Sequence, residues 1–339
     1  MKNQLRQGVY RSYLLPILAL CVLLPLELMG QSRGATLHYI SLPATTKTMA
    51  LGGVTTTIVA NDVALALESP ALFGLEQNGQ LSLSYMNYLG NANLGTAFYG
   101  RALGERGAWG VGARFIDYGS QEERSLQGAY LGTFRPRDVM LQTSYSYELT
   151  EHLRAGISLK GTYSSILEYT AWGLGTDLGL NYFSENKERS VGISLVNVGT
   201  QFRPLGLGSQ EAMPWDIRVG YSQKFAHAPF QVHLTAYSLR PKHTGEFTPT
   251  LGRTGRILRH LALGVEYIPS NHFWLALGYN PRIAQDYREL RGAKLSGLSA
   301  GVGINRAGYR VAVSAVAYDS SFWGFMATFS TDFGLVDRL

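Results

Sequence analysis

The sequence carries a single cysteine in 339 residues, Cys21, inside an N-terminal apolar run. Without that run the chain has no thiol, which excludes disulfides and cysteine-ligated metals. Charge is scarce as well: Asp, Glu, Lys and Arg make up 16% of residues, against about 25% in an average soluble protein. A helix that spans a membrane needs ~20 apolar residues. The run from Leu14 to Leu28 is shorter, and Pro16 and Pro25 interrupt it. Metal-binding histidine patterns are also missing. His38, His152, His227, His233, His243, His260 and His272 form no H-E-x-x-H or comparable pair, so no metal, cofactor or histidine base is expected. With no Lys/Arg-rich run and no aromatic RNA-binding motif, nucleic acid is not an expected partner.

What the N-terminus does contain is Lys2, Arg6 and Arg11, the stretch "LLPILALCVLLPLEL", and a small residue at Gly30. This order is that of a secretory signal peptide, expected over residues 1–30. Leu20 is too large to precede a lipoprotein cysteine, so Cys21 reads as one more apolar residue of the signal. Removing Lys2, Arg6, Arg11 and Glu27 leaves 27 basic and 23 acidic residues, a small excess of +4.

Glycine (39) and tyrosine (20) are abundant, and the stretch "WGLGTDLGLNYF" shows how they are used. Trp172, Leu174, Leu178, Leu180 and Tyr182 fall on one face of a strand; Gly173, Gly175, Asp177, Gly179 and Asn181 fall on the other. Alternating segments of about ten residues, the length of a tilted membrane strand, recur from Gln80 onward. They lie near 80–88, 93–102, 107–117, 138–149, 152–163, 171–183, 189–197, 214–225, 228–239, 258–269, 272–281, 294–304, 308–318 and 321–333. Every second connection is short, with cores "GERG", "TE", "SENKE", "AHAP", "PSN" and "NRAG". The long ones, 118–137, 198–213, 240–257 and 282–293, fall in the other set, as in outer-membrane barrels. Apolar faces such as Trp109, Val111 and Phe115, or Phe273, Leu275, Leu277 and Tyr279, suit lipid. Opposite them lie Arg114, Glu148, Arg154, Lys160, Asp177, Arg218, Lys224, His233, Glu266 and Arg310, which suit a polar interior. The expected fold is an all-β membrane protein: a 14-stranded antiparallel outer-membrane barrel over 79–333, ending on an aromatic strand at Phe333 before a tail at 334–339.

Residues 31–78 break the alternation and are expected to form a segment that fills the lumen. Asn61 and Asp62 start a short helix there, and Pro70 ends it. This segment also carries a resemblance. Met49, Ala50, Leu51, Gly52 and Gly53, then Asn61, Asp62 and Val63, then Ser69, Pro70, Ala71 and Leu72, resemble the start of the PorV/PorQ family of FadL-like barrels. Ser69 stands where that family usually has asparagine. The opening "TLHYISLPATTKTMALGG" is nearest its PorQ-like members. What the resemblance implies is a non-enzymatic part in type IX secretion: an outer-membrane barrel that holds PorZ at the surface, beside PorV and the sortase PorU, in a complex attaching cargo to anionic lipopolysaccharide.

One catalytic string occurs, "GLSAG" at 297–301, with Ser299 in the nucleophile position. A nucleophile elbow needs a strand-to-helix turn, and this string lies inside an alternating strand, so an outer-membrane hydrolase is not expected. Two connections invite a binding role: 239–259, with Arg240, Lys242, Arg253, Arg256 and Arg259, and 281–294, with Arg282, Tyr287, Arg288, Arg291 and Lys294. At the outer surface these would meet an acidic partner face or lipopolysaccharide phosphates, since arginine pairs well with such anions. The rival functional reading is a FadL-like passive channel for hydrophobic compounds. It requires a continuous apolar path, and the mixed charges of the inner faces weigh against one.

Overall fold

A computed structural model describes residues 37–203, 213–239, 252–291, 294–319 and 322–333. The expected signal peptide, residues 31–36, Arg240, Lys242 and the tail 334–339 lie outside the described residues. The strands are β1 (Gln80–Asn87), β2 (Asn93–Leu103), β3 (Gly107–Asp117), β4 (Gln121–Arg124), β5 (Tyr130–Phe134), β6 (Arg137–Glu148), β7 (Leu153–Ile166), β8 (Tyr169–Phe183) and β9 (Arg189–Arg203). They continue with β10 (Asp216–Lys224), β11 (Phe230–Ala236), β12 (Leu261–Ser270), β13 (Phe273–Tyr279), β14 (Leu298–Arg306), β15 (Tyr309–Ala317) and β16 (Trp323–Asp332). Three α-helices are described: α1 (Thr46–Ala50), α2 (Arg253–Leu258) and α3 (Pro281–Arg291). No helix among the described residues is long and apolar enough to cross a membrane.

All strands except β4 and β5 join one closed antiparallel barrel of fourteen. Closure runs from Gln80 opposite Asp332 to Asn87 opposite Phe325, so no backbone edge is left unpaired in lipid. Side-chain chemistry sets which face turns outward. On β8, Trp172 is 54% exposed and Leu174 47%, while Asp177 on the other face is fully buried. From Tyr182 to Trp172 is ten residues, roughly 25 Å of height for a tilted strand. That is the height of an outer-membrane apolar band, with an aromatic ring at each margin. The architecture is that of an outer-membrane β-barrel, with short turns and both barrel termini at one end and the longer connections at the other.

The structure departs from the sequence reading in several places. Strands β7, β8 and β9 run to 14 or 15 residues, past the expected limits, because pairs such as Ser165 with Thr170 and Ile166 with Tyr169 continue the ladder. Others are shorter than expected: β10 waits until Pro214 and Trp215 are passed, and β14 begins only after Gly297, whose φ is +83°. The connection 118–137 is not irregular but folds into the β4/β5 hairpin. The 239–259 and 281–294 connections contain α2 and α3. β16 ends at Asp332, one residue before Phe333, whose N–H still donates to the Gly79 carbonyl at 3.0 Å.

Candidate functional site

Residues 37–79 lie inside the barrel, and their packing explains the composition of the inner wall. The helix expected at Asp62 is a tight 3₁₀ turn over Val63–Leu67. Its bonds are of the i+3 kind, the Leu65 N–H donating to Asp62 O at 3.2 Å and the Glu68 N–H to Leu65 O at 3.0 Å. Asp62 caps it, its carboxylate accepting the Ala64 N–H at 3.0 Å. Pro70 does not simply end that helix; it opens a second turn, Pro70–Leu72. The helix α1, absent from the sequence reading, is capped by the Thr45 hydroxyl, which accepts the Thr48 N–H at 3.1 Å.

A compact segment in irregular conformation leaves backbone carbonyls that need donors, and the wall supplies them. Arg114 donates to Tyr39 O and Ile40 O at 2.9 and 2.8 Å. Gln142 donates to Ala66 O at 3.0 Å, Asn181 to Thr56 O at 2.8 Å, and Ser222 to Thr57 O at 3.0 Å. Asn280 donates to Gly52 O at 2.8 Å. The polar inner face is therefore a mould for this segment. Wall glycines complete it: a Cβ at Gly156 would stand 2.5 Å from the Pro70 carbonyl carbon, and one at Gly179 2.6 Å from Ser69 Oγ.

The motif residues sit at these joints. Gly52 and Gly53 turn the chain with φ of +98° and +85°, values that favour glycine. Asn61 meets Gln80 Nε2 at 3.1 Å, and the other end of that amide accepts the Val63 N–H at 2.6 Å. Ser69, Pro70 and Ala71 fill the space beside Gly156 and Gly179.

Buried ions hold the same segment. Glu68 accepts the Ala44 N–H at 2.7 Å and faces Arg218 at 3.6 Å. At the turn end Arg154 bonds both oxygens of Glu76, at 3.1 and 2.8 Å. Burial alone would raise the Glu76 carboxyl, but the Arg154 guanidinium outweighs it and holds the group below the ordinary glutamate range. In the wall itself Lys160 pairs with Asp177 at 2.7 Å and donates to Asn197 at 2.7 Å. Asn197 is a bulge residue with φ +57° between β8 and β9. Its N–H donates to Asp177 at 2.7 Å, so this irregularity in the ladder is locked shut and makes no lateral opening.

Two cavities flank α1. The larger, about 460 Å³, opens at the long-loop end and is lined by Leu42, Met49, Trp215, Ile283, Tyr287 and Tyr318 among others. The smaller, about 210 Å³, lies toward the turns beside Thr46, Lys47, Glu266 and Trp274. The partition is pinned on several sides. Thr46 bonds Thr328 through both its N–H, at 3.1 Å, and its hydroxyl. Lys47 pairs with Glu266 at 2.5 Å and lies 4.7 Å from the Trp274 ring centre, and the Ala50 carbonyl accepts from Ser299 at 3.0 Å.

Ser299 is thus a wall residue holding α1, on a strand that continues to Arg306 with no following helix. Of the arginines expected to meet a partner, Arg253 and Arg256 are exposed on α2. Arg259 is 6% exposed and pairs with Asp286 at 2.7 Å, and Arg282 donates to Ser238 at 2.6 Å. Those two guanidiniums tie α3 to the end of α2 and to Ser238 after β11. Tyr287 packs on Tyr318 with ring centres 5.7 Å apart. Arg288 and Arg291 lie on α3, Lys294 is exposed, and Arg240 and Lys242 are not among the described residues. The donor wall went unseen in sequence because its partners are backbone carbonyls, which no residue pattern marks.

No protein-family model matches the sequence, and no curated protein does. Solved structures share the fold. The Ralstonia pickettii toluene transporter TbuX superposes with a TM-score of 0.54 at 14% identity, over 86% of this chain and 99% of that one. The Pseudomonas putida toluene transporter TodX gives 0.53 at 14%, over 84% and 97%.

Proposed function

We propose that this chain is a non-enzymatic anchor, a plugged outer-membrane barrel that holds a large surface protein at its long-loop end. This is the role the PorV/PorQ resemblance implies, with PorZ as the direct partner and PorU and PorV in the wider attachment complex that joins cargo to anionic lipopolysaccharide. The observation that carries the reading is the partitioned lumen. Two separate cavities meet at α1, which bonds to β12, β14 and β16, and the described strands around it form a closed ring. A barrel built this way is suited to holding rather than conducting. Deleting the gene and fractionating the cells tests it: the surface protein is expected to leave the cell for the medium. Retention of that protein at wild-type level would remove the anchor reading.

A second reading is favoured by a different observation. The 460 Å³ cavity has a size suited to small ligands, and its walls mix apolar and aromatic side chains with Asp216, Arg218, Asn280, Arg282 and Asp286; the solved structures with this fold include toluene transporters. Those neighbours speak for a passive channel for hydrophobic compounds more than for a PorZ anchor. At 14% identity they carry the fold and not the cargo. Passage would require α1 to leave its bonds to Glu266 and Thr328, and uptake of a hydrophobic probe into liposomes holding the barrel measures it.

A further inference from the structure

The barrel wall is uneven in height. β8 has fifteen residues, whereas β11 and β13 have seven each. A tilted strand climbs about 2.5 Å per residue. From Phe230, whose ring packs on Tyr267 at the turn end, β11 therefore climbs roughly 15 Å of an apolar band roughly 25 Å tall. On this side the outer part of the band is left to the chain that follows, and α2 stands there, separated from β12 only by Arg259 and His260.

The sides of α2 differ. Gly255 and Arg259, one turn apart, lie against α3: the Gly255 carbonyl accepts from Gln285 at 3.2 Å, and Arg259 pairs with Asp286 at 2.7 Å. Because α3 lines the larger cavity through Ile283, Asp286 and Tyr287, the far side of α2 points away from the lumen. That side carries Arg253 and Ile257, with Arg256 and Leu258 flanking them, and α2 has no acid. Ile257 is 59% exposed and Leu258 39%, and they extend the lipid-facing series Tyr267, Val265 and Leu263 of β12. Arg253 and Arg256 are exposed, and neither has an ion-pair partner among the described residues.

The order along α2 matches the order of an outer leaflet. Ile257 and Leu258 stand at the end nearest the strand, and Arg253 lies one turn farther out, roughly 6 Å along the helix axis. We propose that α2 is a lipid-binding element, with Ile257 and Leu258 against acyl chains and Arg253 with Arg256 on the phosphates of a phosphorylated glycolipid. Arginine suits that role because its planar fork makes paired hydrogen bonds to phosphate. The inference rests on the outer-membrane location and holds whether the barrel anchors a protein or conducts a solute.

The test titrates the full barrel, in mild detergent, with bisphosphorylated lipid A and counts bound lipid by native mass spectrometry; dephosphorylated lipid A is the comparison. Arg253→Gln with Arg256→Gln is expected to weaken binding of the phosphorylated lipid by about tenfold or more and to leave binding of the dephosphorylated one unchanged. Ile257→Ser with Leu258→Ser should weaken both. Arg124→Gln, which removes an exposed arginine of the β4/β5 hairpin, should alter neither. A photoreactive residue at Ile257, with the barrel still in its own outer membrane, should give a lipid adduct, which keeps the inference testable if a double variant fails to assemble. Undiminished binding of the phosphorylated lipid by the Arg253/Arg256 variant, or an adduct at 257 with protein alone or with nothing, overturns the inference and leaves the anchor reading untouched.

Discussion

Gly156 shows how tightly one position joins wall to plug. A side chain there must push backbone atoms of Pro70 that lie 2.5 to 2.6 Å from the new Cβ. Gly156→Ala is therefore expected to destabilise the plugged state by about 1–3 kcal/mol, read as a lower urea midpoint for the purified barrel. Glu76 gives a pH dependence of known sign. Its folded pKa lies below its ordinary value of 4.5, so the Arg154 latch contributes fully above that value and is lost as pH falls through the folded value. Arg154, Glu148 and, more distantly, Lys187 are the charged groups facing it. Hydrogen exchange at residues 74–79, corrected for the intrinsic effect of pH, should rise in acid in the unaltered chain and be insensitive to pH in Glu76→Gln. Asp177→Ala, which strands the buried Lys160 ammonium, is expected to cost about 3–5 kcal/mol by the same unfolding assay. At this scale the sequence revealed that these ions point inward but not what they meet. Lys160 with Asp177 is a link between neighbouring strands, and Arg259 looked like a surface cation until Asp286 was found beside it.

The strands were legible because lipid enforces a strict period of two: Leu174, Leu178 and Leu180 have no other face to occupy. Leu178→Arg, at mid-height on the lipid face of β8, should cost about 2–4 kcal/mol in unfolding from lipid vesicles. The short helix after Asp62 was legible from its cap, but α1, α2, α3 and the β4/β5 hairpin were not. Their formation depends on tertiary donors or on a bulge, as in Glu123 opposite Gly132 and then Arg124 opposite Tyr130, and neither leaves a periodic trace. The helix α1 separates the two functional readings cleanly. Because the sequence's one cysteine, Cys21, lies in the N-terminal apolar run, Thr46→Cys with Thr328→Cys places one engineered pair across a contact that is already hydrogen-bonded. Oxidising that pair should leave capture of a surface protein unchanged. A channel whose path runs past α1 would instead lose uptake of a hydrophobic probe.

As a whole the molecule is a closed lipid-facing wall cast around an N-terminal segment, with a cavity of mixed lining and a two-armed hairpin at its long-loop end. The wall and the segment account for one another, since inward glycines make room where the segment presses and inward donors bond its carbonyls. Holding a partner requires only that this assembly be rigid; conduction requires that it open. The most direct test of the anchor is native mass spectrometry of the barrel taken from its own outer membrane in mild detergent. The account predicts a species with the mass of the barrel plus one large surface protein. A barrel that flies alone, carrying only small apolar molecules, would contradict it and make the channel the better description.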